Sequence, residues 1–275
     1  MAAPAVLAVL PVSPETGIVR LEDKLYKAVH LRECLDEIGV SRGDHIVVHS
    51  RMIAFGLPVF KATEAGLAQF LNAFIGVLSS AVGPEGVLLM PAFTYSFCKG
   101  EPYDVQNTPS TVGSLTERFR QDAGVRRTRD PIFSFAVSGG GDYLDISDSC
   151  FGENSVFDKL YANGGKILFL GTDMGSATYI HYVEKKFGVP YRYDKIFGGT
   201  TIENGVARDA SCTYFVRRLG EKSVFSPEAL RKMLEESGNY NVSQFGAGKI
   251  TCVDARRCAD SVIERLEKNP LCLLG

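Results

Sequence analysis

The sequence predicts a single α/β domain built in layers, on three observations. Short apolar runs that read as buried strands alternate with segments of helical period. The chain has 275 residues, enough to bury one large core. No internal repeat or low-complexity tract divides it.

The expected elements follow in order. Residues 1–23 read as an N-terminal arm, irregular or holding a short strand. Over residues 25–38, Leu25, Val29, Leu31, Leu35 and Ile38 keep roughly helical spacing, and Gly39 supplies a stop. Residues 45–49 form a short apolar run expected as a buried strand. Thr63 is a credible N-cap for a helix over 63–82, with Leu67, Phe70, Leu71, Phe74, Ile75 and Leu78 on one face. Gly83-Pro-Glu-Gly86 ends that helix, and residues 87–90 make a second strand stopped by Pro91. Residues 92–112 are a long connection rich in turn formers, the kind of segment that often carries function. A helix over 112–122, a third strand over 132–138 and a fourth over 166–170 come next. Residues 193–218 alternate enough for a hairpin, and helices are expected near 226–237 and 253–268.

Composition narrows the function classes. With 45% hydrophobic and 23% charged residues the chain is not a disordered tract. A formal charge of -2 argues against bulk nucleic-acid binding and against a basin built for polycations. Seven scattered cysteines without a Cys-x-x-Cys pair suit thiols in a reducing compartment better than a disulfide framework. The apolar start lacks basic residues and is broken by Pro4 and Pro11, so it is a poor signal peptide. No later segment is expected to reach the length of a membrane helix. The expectation is a soluble, cytoplasmic protein with neither a membrane nor a nucleic-acid partner.

The stretch most suggestive of chemistry is Gly171 to Lys186. It follows the most apolar expected strand, and Ser176 is a good N-cap for the helix after it. Thr178, His181 and Glu184, three residues apart, would share one face of that helix. Clefts of open α/β sheets form at strand carboxyl ends beside helix N-termini, which favours a site here. An imidazole with a carboxylate on one nitrogen can take a proton on the other. Three readings stay open on these residues alone: a surface contact, a base with its orienter, or two ligands of a metal. The metal reading needs a third ligand, from His30, His45, His49 or a carboxylate, and none stands at a suggestive spacing.

Several short motifs in order add a resemblance. Val48-His49-Ser50 follows the first strand, then Gly86-Val-Leu-Leu-Met-Pro91, Gly113-Ser-Leu-Thr-Glu117 with Phe119-Arg120, and Arg127-Thr-Arg-Asp-Pro131. Ser134 to Gly139, Gly152-Glu-Asn-Ser155, Ile167 to Gly171 and Thr178-Tyr-Ile-His181-Tyr-Val-Glu184 complete the set. In this order, over residues 25–192, the chain resembles the aminoglycoside 3-N-acetyltransferase family. The resemblance implies one α/β fold with a central mixed sheet flanked by helices. It also implies transfer of an acyl group from acyl-CoA to an amine on a sugar ring, with no tightly bound cofactor. It makes His181 the general base, Glu184 its orienter and Thr178 a hydroxyl near the thioester carbonyl. Ser50, Arg51, Ser110 and Thr111 would lie against coenzyme A.

The chain departs from the family pattern at two places. Arg51 replaces the second serine after the histidine, and Asp130 stands where the family carries a histidine before the proline. With no acidic excess either, the expected acceptor is an amino sugar on a nucleotide or similar anionic carrier, with an aminoglycoside as the alternative. Arg126, Arg127, Arg129 and Arg192 would then meet phosphates, and Tyr191 and Tyr193 would stack on a sugar or base. A homodimer is a candidate assembly. Rival readings are a Cys98 nucleophile, a metal-dependent hydrolase using His181 and Glu184, and a binding module without catalysis.

Overall fold

The computed structural model describes residues 12–219 and 223–275. Residues 1–11 of the expected arm lie outside them. The rest of that segment holds the expected short strand, after an irregular stretch over 12–16: β1 (Gly17–Leu21) pairs antiparallel with β2 (Lys24–Lys27). Leu25 is in register with Arg20 in that ladder. The helix expected over 25–38 therefore starts later, as α1 (Ala28–Glu37).

β3 (His45–Ser50) and β4 (Leu57–Pro58) precede α2 (Glu64–Val82), whose Thr63 hydroxyl accepts the Gly66 N–H at 3.1 Å. This is the N-cap that the sequence signals, and Gly83 at φ 68° ends the helix. α2 corrects one expectation. Its length and its mean hydropathy of 1.5 would suit a bilayer span, but 61% of that window is buried inside the protein. β5 (Val87–Pro91), β6 (Tyr103–Asp104), α3 (Ser114–Arg120), β7 (Arg126–Arg127) and β8 (Phe135–Ser138) follow. Then come α4 (Val156–Ala162), β9 (Lys166–Leu170) and α5 (Ile180–Phe187). The expected hairpin is β10 (Arg192–Glu203) with β11 (Val206–Arg217), turned at Asn204-Gly205. The chain closes with α6 (Pro227–Glu236), β12 (Asn241–Phe245), β13 (Gly248–Asp254) and α7 (Ala255–Lys268).

The main sheet has seven strands in the order β12-β13-β9-β3-β5-β8-β7. It is mixed: β3 runs parallel to both β5 and β9, whereas β13 and β8 are antiparallel to their inner neighbours. Its central strands are buried on both faces, as strands covered by helices on each side must be. Ile46, Val48, Leu88 and Met90 join the core under α1, α2 and α3. Val47, Leu89, Ile167 and Phe169 join the opposite core, with α4, α5 and α7. The period-2 alternation along each strand divides these two sets. Two three-stranded sheets, β2-β1-β4 and β11-β10-β6, flank this body.

What positions the site is the parallel pair β3 and β9. Ser50 lies opposite Leu170, so both strands end at one edge. The Arg51 N–H donates to the Leu170 carbonyl at 2.8 Å. At Gly171, φ is 65°, and a Cβ there would sit 2.7 Å from the Arg51 carbonyl oxygen. Glycine is what lets the two loops leave the sheet side by side.

Candidate active site

The segment after β9 does not begin its helix where expected. Ser176 closes a 3₁₀ turn, Met174–Ser176, whose cap is Asp173, with Oδ1 accepting the Gly175 N–H at 2.9 Å. α5 starts at Ile180, after Tyr179, which provides no side-chain cap. Thr178 therefore precedes the helix instead of sharing its face. Its carbonyl accepts the His181 N–H at 3.1 Å, and its hydroxyl donates to the Ser176 carbonyl at 3.4 Å.

His181 and Glu184, one turn apart on α5, form a short contact: Nδ1 to Oε2 is 2.7 Å. Glu184 has no exposed side-chain surface, while His181 keeps 21% of its own. In the neutral ring the Nδ1–H donates to the carboxylate, which leaves Nε2 as the acceptor. Burial pushes His181 below the usual histidine value; the Glu184 hydrogen bond opposes this, and the Arg192 cation adds to the lowering. The ring edge meets Phe151, centroids 5.5 Å apart, and His181 borders a cavity of about 520 Å³ with Tyr193, Phe197 and Tyr214. A neutral, partly shielded base beside a cavity is suited to take a proton from a bound amine.

Glu184 is held on its other side by residues expected to meet substrate. The Tyr191 hydroxyl donates to Oε1 at 2.9 Å. Arg192 Nε lies 2.7 Å from Oε2, an ion pair rather than a hydrogen bond, because the N–H is not directed at that oxygen. Tyr191 and Arg192 are 2% and 7% exposed and both engage Glu184; of the two, only Arg192 also borders the cavity at His181. Tyr193, at 41%, is the tyrosine that presents its ring. The sequence did not signal this buttress: the hairpin is expected from residue 193, whereas β10 already starts at Arg192.

Of the four residues expected against coenzyme A, Ser50 ends β3 and Arg51 follows it, while Ser110 and Thr111 lie in the loop before α3. Ser50 is in contact with Gly113: a Cβ there would lie 3.8 Å from the Ser50 carbonyl oxygen. Arg51 is exposed and leads into a 3₁₀ turn, Met52–Phe55. The Ser110 N–H donates to Glu117 Oε2 at 2.8 Å, and the Thr111 hydroxyl donates to the Phe93 carbonyl at 3.0 Å. These bonds fix the loop that enters α3.

The remaining arginines are elsewhere. Arg129 pairs with Glu203 at 3.0 Å near the hairpin tip and lines a separate cavity of about 970 Å³. That cavity shares no lining residue with the one at His181, so the structure does not bring Arg129 to the site. Arg126 lines the same remote cavity. Arg127 is a structural pin, donating to the Thr108 and Ala92 carbonyls and to Ser134 Oγ. Asp130, where the family carries histidine, is buried and accepts the Ile132 and Phe133 N–H groups at 2.8 Å each; burial pushes its carboxyl up. Burial also raises the Cys98 thiol, which disfavours the thiolate that a nucleophile needs. Among the described residues no three His, Cys, Asp or Glu side chains gather as a metal set.

Comparison with known proteins places the chain in a family. The family profile described as aminoglycoside 3-N-acetyltransferase matches residues 47–267. The aminoglycoside N(3)-acetyltransferase VII of Streptomyces paromomycinus is 26% identical over 202 residues, 64% of this chain and 66% of its own length. A prophage-derived aminoglycoside N(3')-acetyltransferase-like protein of Bacillus subtilis is 26% identical over 188 residues, 59% of this chain and 65% of that protein. The match thus spans just under two thirds of these relatives' lengths. A solved structure described as AAC-IIIb binary with CoASH has the same fold, with a TM-score of 0.71 at 22% identity over 88% of this chain and 96% of that one. Since the profile covers most of the chain, with the His181–Glu184 pair inside it, the protein belongs to the aminoglycoside 3-N-acetyltransferase family.

Proposed function

We propose that residues 1–275 form one cytoplasmic, coenzyme A-dependent N-acetyltransferase domain that acetylates an amino group of an aminoglycoside. The observation that carries this reading is the buried Glu184 on Nδ1 of His181, which leaves Nε2 out of that bond on a ring bordering the cavity. In the reaction the amine attacks the thioester carbonyl of acetyl-CoA. The C–N bond forms, the C–S bond breaks, and the amine proton passes to Nε2 and then to the departing thiolate. General-base assistance of this kind is worth on the order of 10²–10⁴-fold.

Thr178, just before α5, is the hydroxyl assigned to the thioester carbonyl. Ser50, Arg51, Ser110 and Thr111 are assigned to coenzyme A; the approach of Gly113, in the loop after Thr111, to Ser50 supports this, and a neighbour of the same fold is described as a CoASH complex. The names of the relatives favour an aminoglycoside over the nucleotide-linked amino sugar expected from the sequence. One observation favours an anionic amino sugar as the second reading. Among the described residues, the cavity at His181 carries Arg192, Lys195 and Arg217 and no carboxylate. Seven free thiols support the cytoplasmic setting. Homodimer assembly is the candidate state, to be read by sedimentation.

The test is thiol release from acetyl-CoA with two acceptor panels, aminoglycosides and nucleotide-linked amino sugars. Aminoglycoside-dependent release supports the main reading. Release with the anionic panel alone replaces its acceptor, and no amine-dependent release with either rejects the activity.

A further inference from the structure

Arg192 is the first residue of β10 and 7% exposed, a poor place for a cation without a role. Its Nε is 2.7 Å from Glu184 Oε2, the same oxygen that contacts His181 Nδ1. Its Nη1 donates to the Phe215 carbonyl on β11 at 3.2 Å, so the hairpin fixes the guanidinium from its second strand. We propose that Arg192 is a positioning residue of this active site, whose buried cation balances Glu184 so that His181 stays unprotonated and able to accept a proton.

Charge in a shielded place decides the protonation of the ring. With His181 neutral, the carboxylate and the guanidinium sum to zero. Protonating His181 would leave one net positive charge beside Phe151 and Tyr214, which burial disfavours. Without Arg192, the neutral ring would leave the carboxylate unbalanced and the protonated ring would complete an ion pair. The base would then hold its proton near neutral pH and be unable to take another. Tyr191 cannot substitute, because its hydroxyl donates a hydrogen bond but carries no charge.

Among the described residues, the titratable and charged groups on His181's helix face and around its cavity are these. Glu184 shares its helix, Arg192, Tyr193 and Lys195 come from β10, and Tyr214 and Arg217 from β11. Lys185, the next cation on α5, is engaged by Asp194 at 2.5 Å. Arg192, Lys195 and Arg217 all line the cavity, and among the described residues Arg192 is the one of these three that pairs with Glu184.

This inference rests on the acetyltransferase reading only for its kinetic consequence, so the test reads ionisation directly. The His181 ring is titrated by NMR in the wild type and in Arg192→Gln, its resonance assigned by its loss in His181→Asn. The expected result is a midpoint about one pH unit or more higher in Arg192→Gln, the usual size for a nearby charge, with Arg192→Lys returning towards the wild type. An unmoved midpoint overturns the proposal whether or not any acceptor is found. If Arg192→Gln does not fold, Glu184→Gln is compared with the double variant Glu184→Gln/Arg192→Gln, which lacks the unpaired carboxylate. A higher midpoint in the double variant supports the proposal and equal midpoints overturn it. Where activity is found, the acidic limb of kcat/KM should move with the ring; a uniform loss at every pH would mean that Arg192 only supports the fold.

Discussion

Tyr191 donates its hydroxyl to Oε1 of Glu184 at 2.9 Å, while His181 holds Oε2. One carboxylate is thus fixed on both oxygens, in a place without solvent exposure. A side chain held this way cannot rotate, so the ring it orients keeps one tautomer and one direction. The proposed chemistry depends on that rigidity.

The first prediction concerns the pair itself. His181→Ala should lower acetyl transfer on the order of 10²–10⁴-fold, the scale of lost general-base assistance. Glu184→Gln should lower it in the same direction, because the ring loses its orienting charge. Steady-state kinetics beside circular dichroism separates this from unfolding. Near-normal turnover in His181→Ala would end the general-base assignment.

His49 predicts an acid-sensitive fold. It is 6% exposed, its ring stacks on Phe169, and Nε2 has no partner. Burial lowers its pKa to about 4. From an unfolded value of about 6.5, the unfolded chain takes up a proton as pH falls while the folded chain does not. Stability is therefore lost between about pH 6.5 and pH 4, by about 3 kcal/mol for this residue. His45 and His181, both lowered, slope the same way. Urea midpoints measured across that range should flatten in His49→Gln; an identical slope in both proteins would refute the assignment.

Gly171→Ala should separate the two site loops. At φ 65° an L-residue is strained, and the new Cβ would also lie 2.8 Å from that of Ala54. Strain of this kind costs about 1–3 kcal/mol. A lower denaturation midpoint with a raised KM for acetyl-CoA is expected. Wild-type stability would show that the loops are not locked together there.

Cys98→Ala should leave turnover intact, because its thiol is raised by burial and the proposed attack is direct. Dialysis against a chelator should likewise leave turnover unchanged. Loss of activity in the first case would restore a covalent cysteine route, and in the second a metal-dependent one.

The sequence carried the fold where period and punctuation agreed. Thr63 before the apolar face of α2, the run of β9 and the alternation of β10 and β11 all matched the structure closely. It failed where tertiary pairing overrode local pattern. Residues 25–27 have helical apolar spacing but join β1 in a ladder. No strand is expected at β12, three of whose five residues face solvent, and it forms through its register with β13. In the site, His181 and Glu184 were legible from spacing, and their order among motifs carried the family. The roles of Tyr191, Arg192 and Arg129 were not, because nothing local states that the hairpin folds back on Glu184 at its base and holds Arg129 near its tip.

The central claim is that Nε2 of His181 takes the proton of an amine attacking acetyl-CoA. Its most direct test is thiol release from acetyl-CoA with an aminoglycoside panel, wild type beside His181→Ala. The account predicts amine-dependent release and a singly acetylated product with the wild type, and release lower by about two orders of magnitude or more in the variant. Amine-dependent release at the wild-type rate from a folded His181→Ala protein would contradict it.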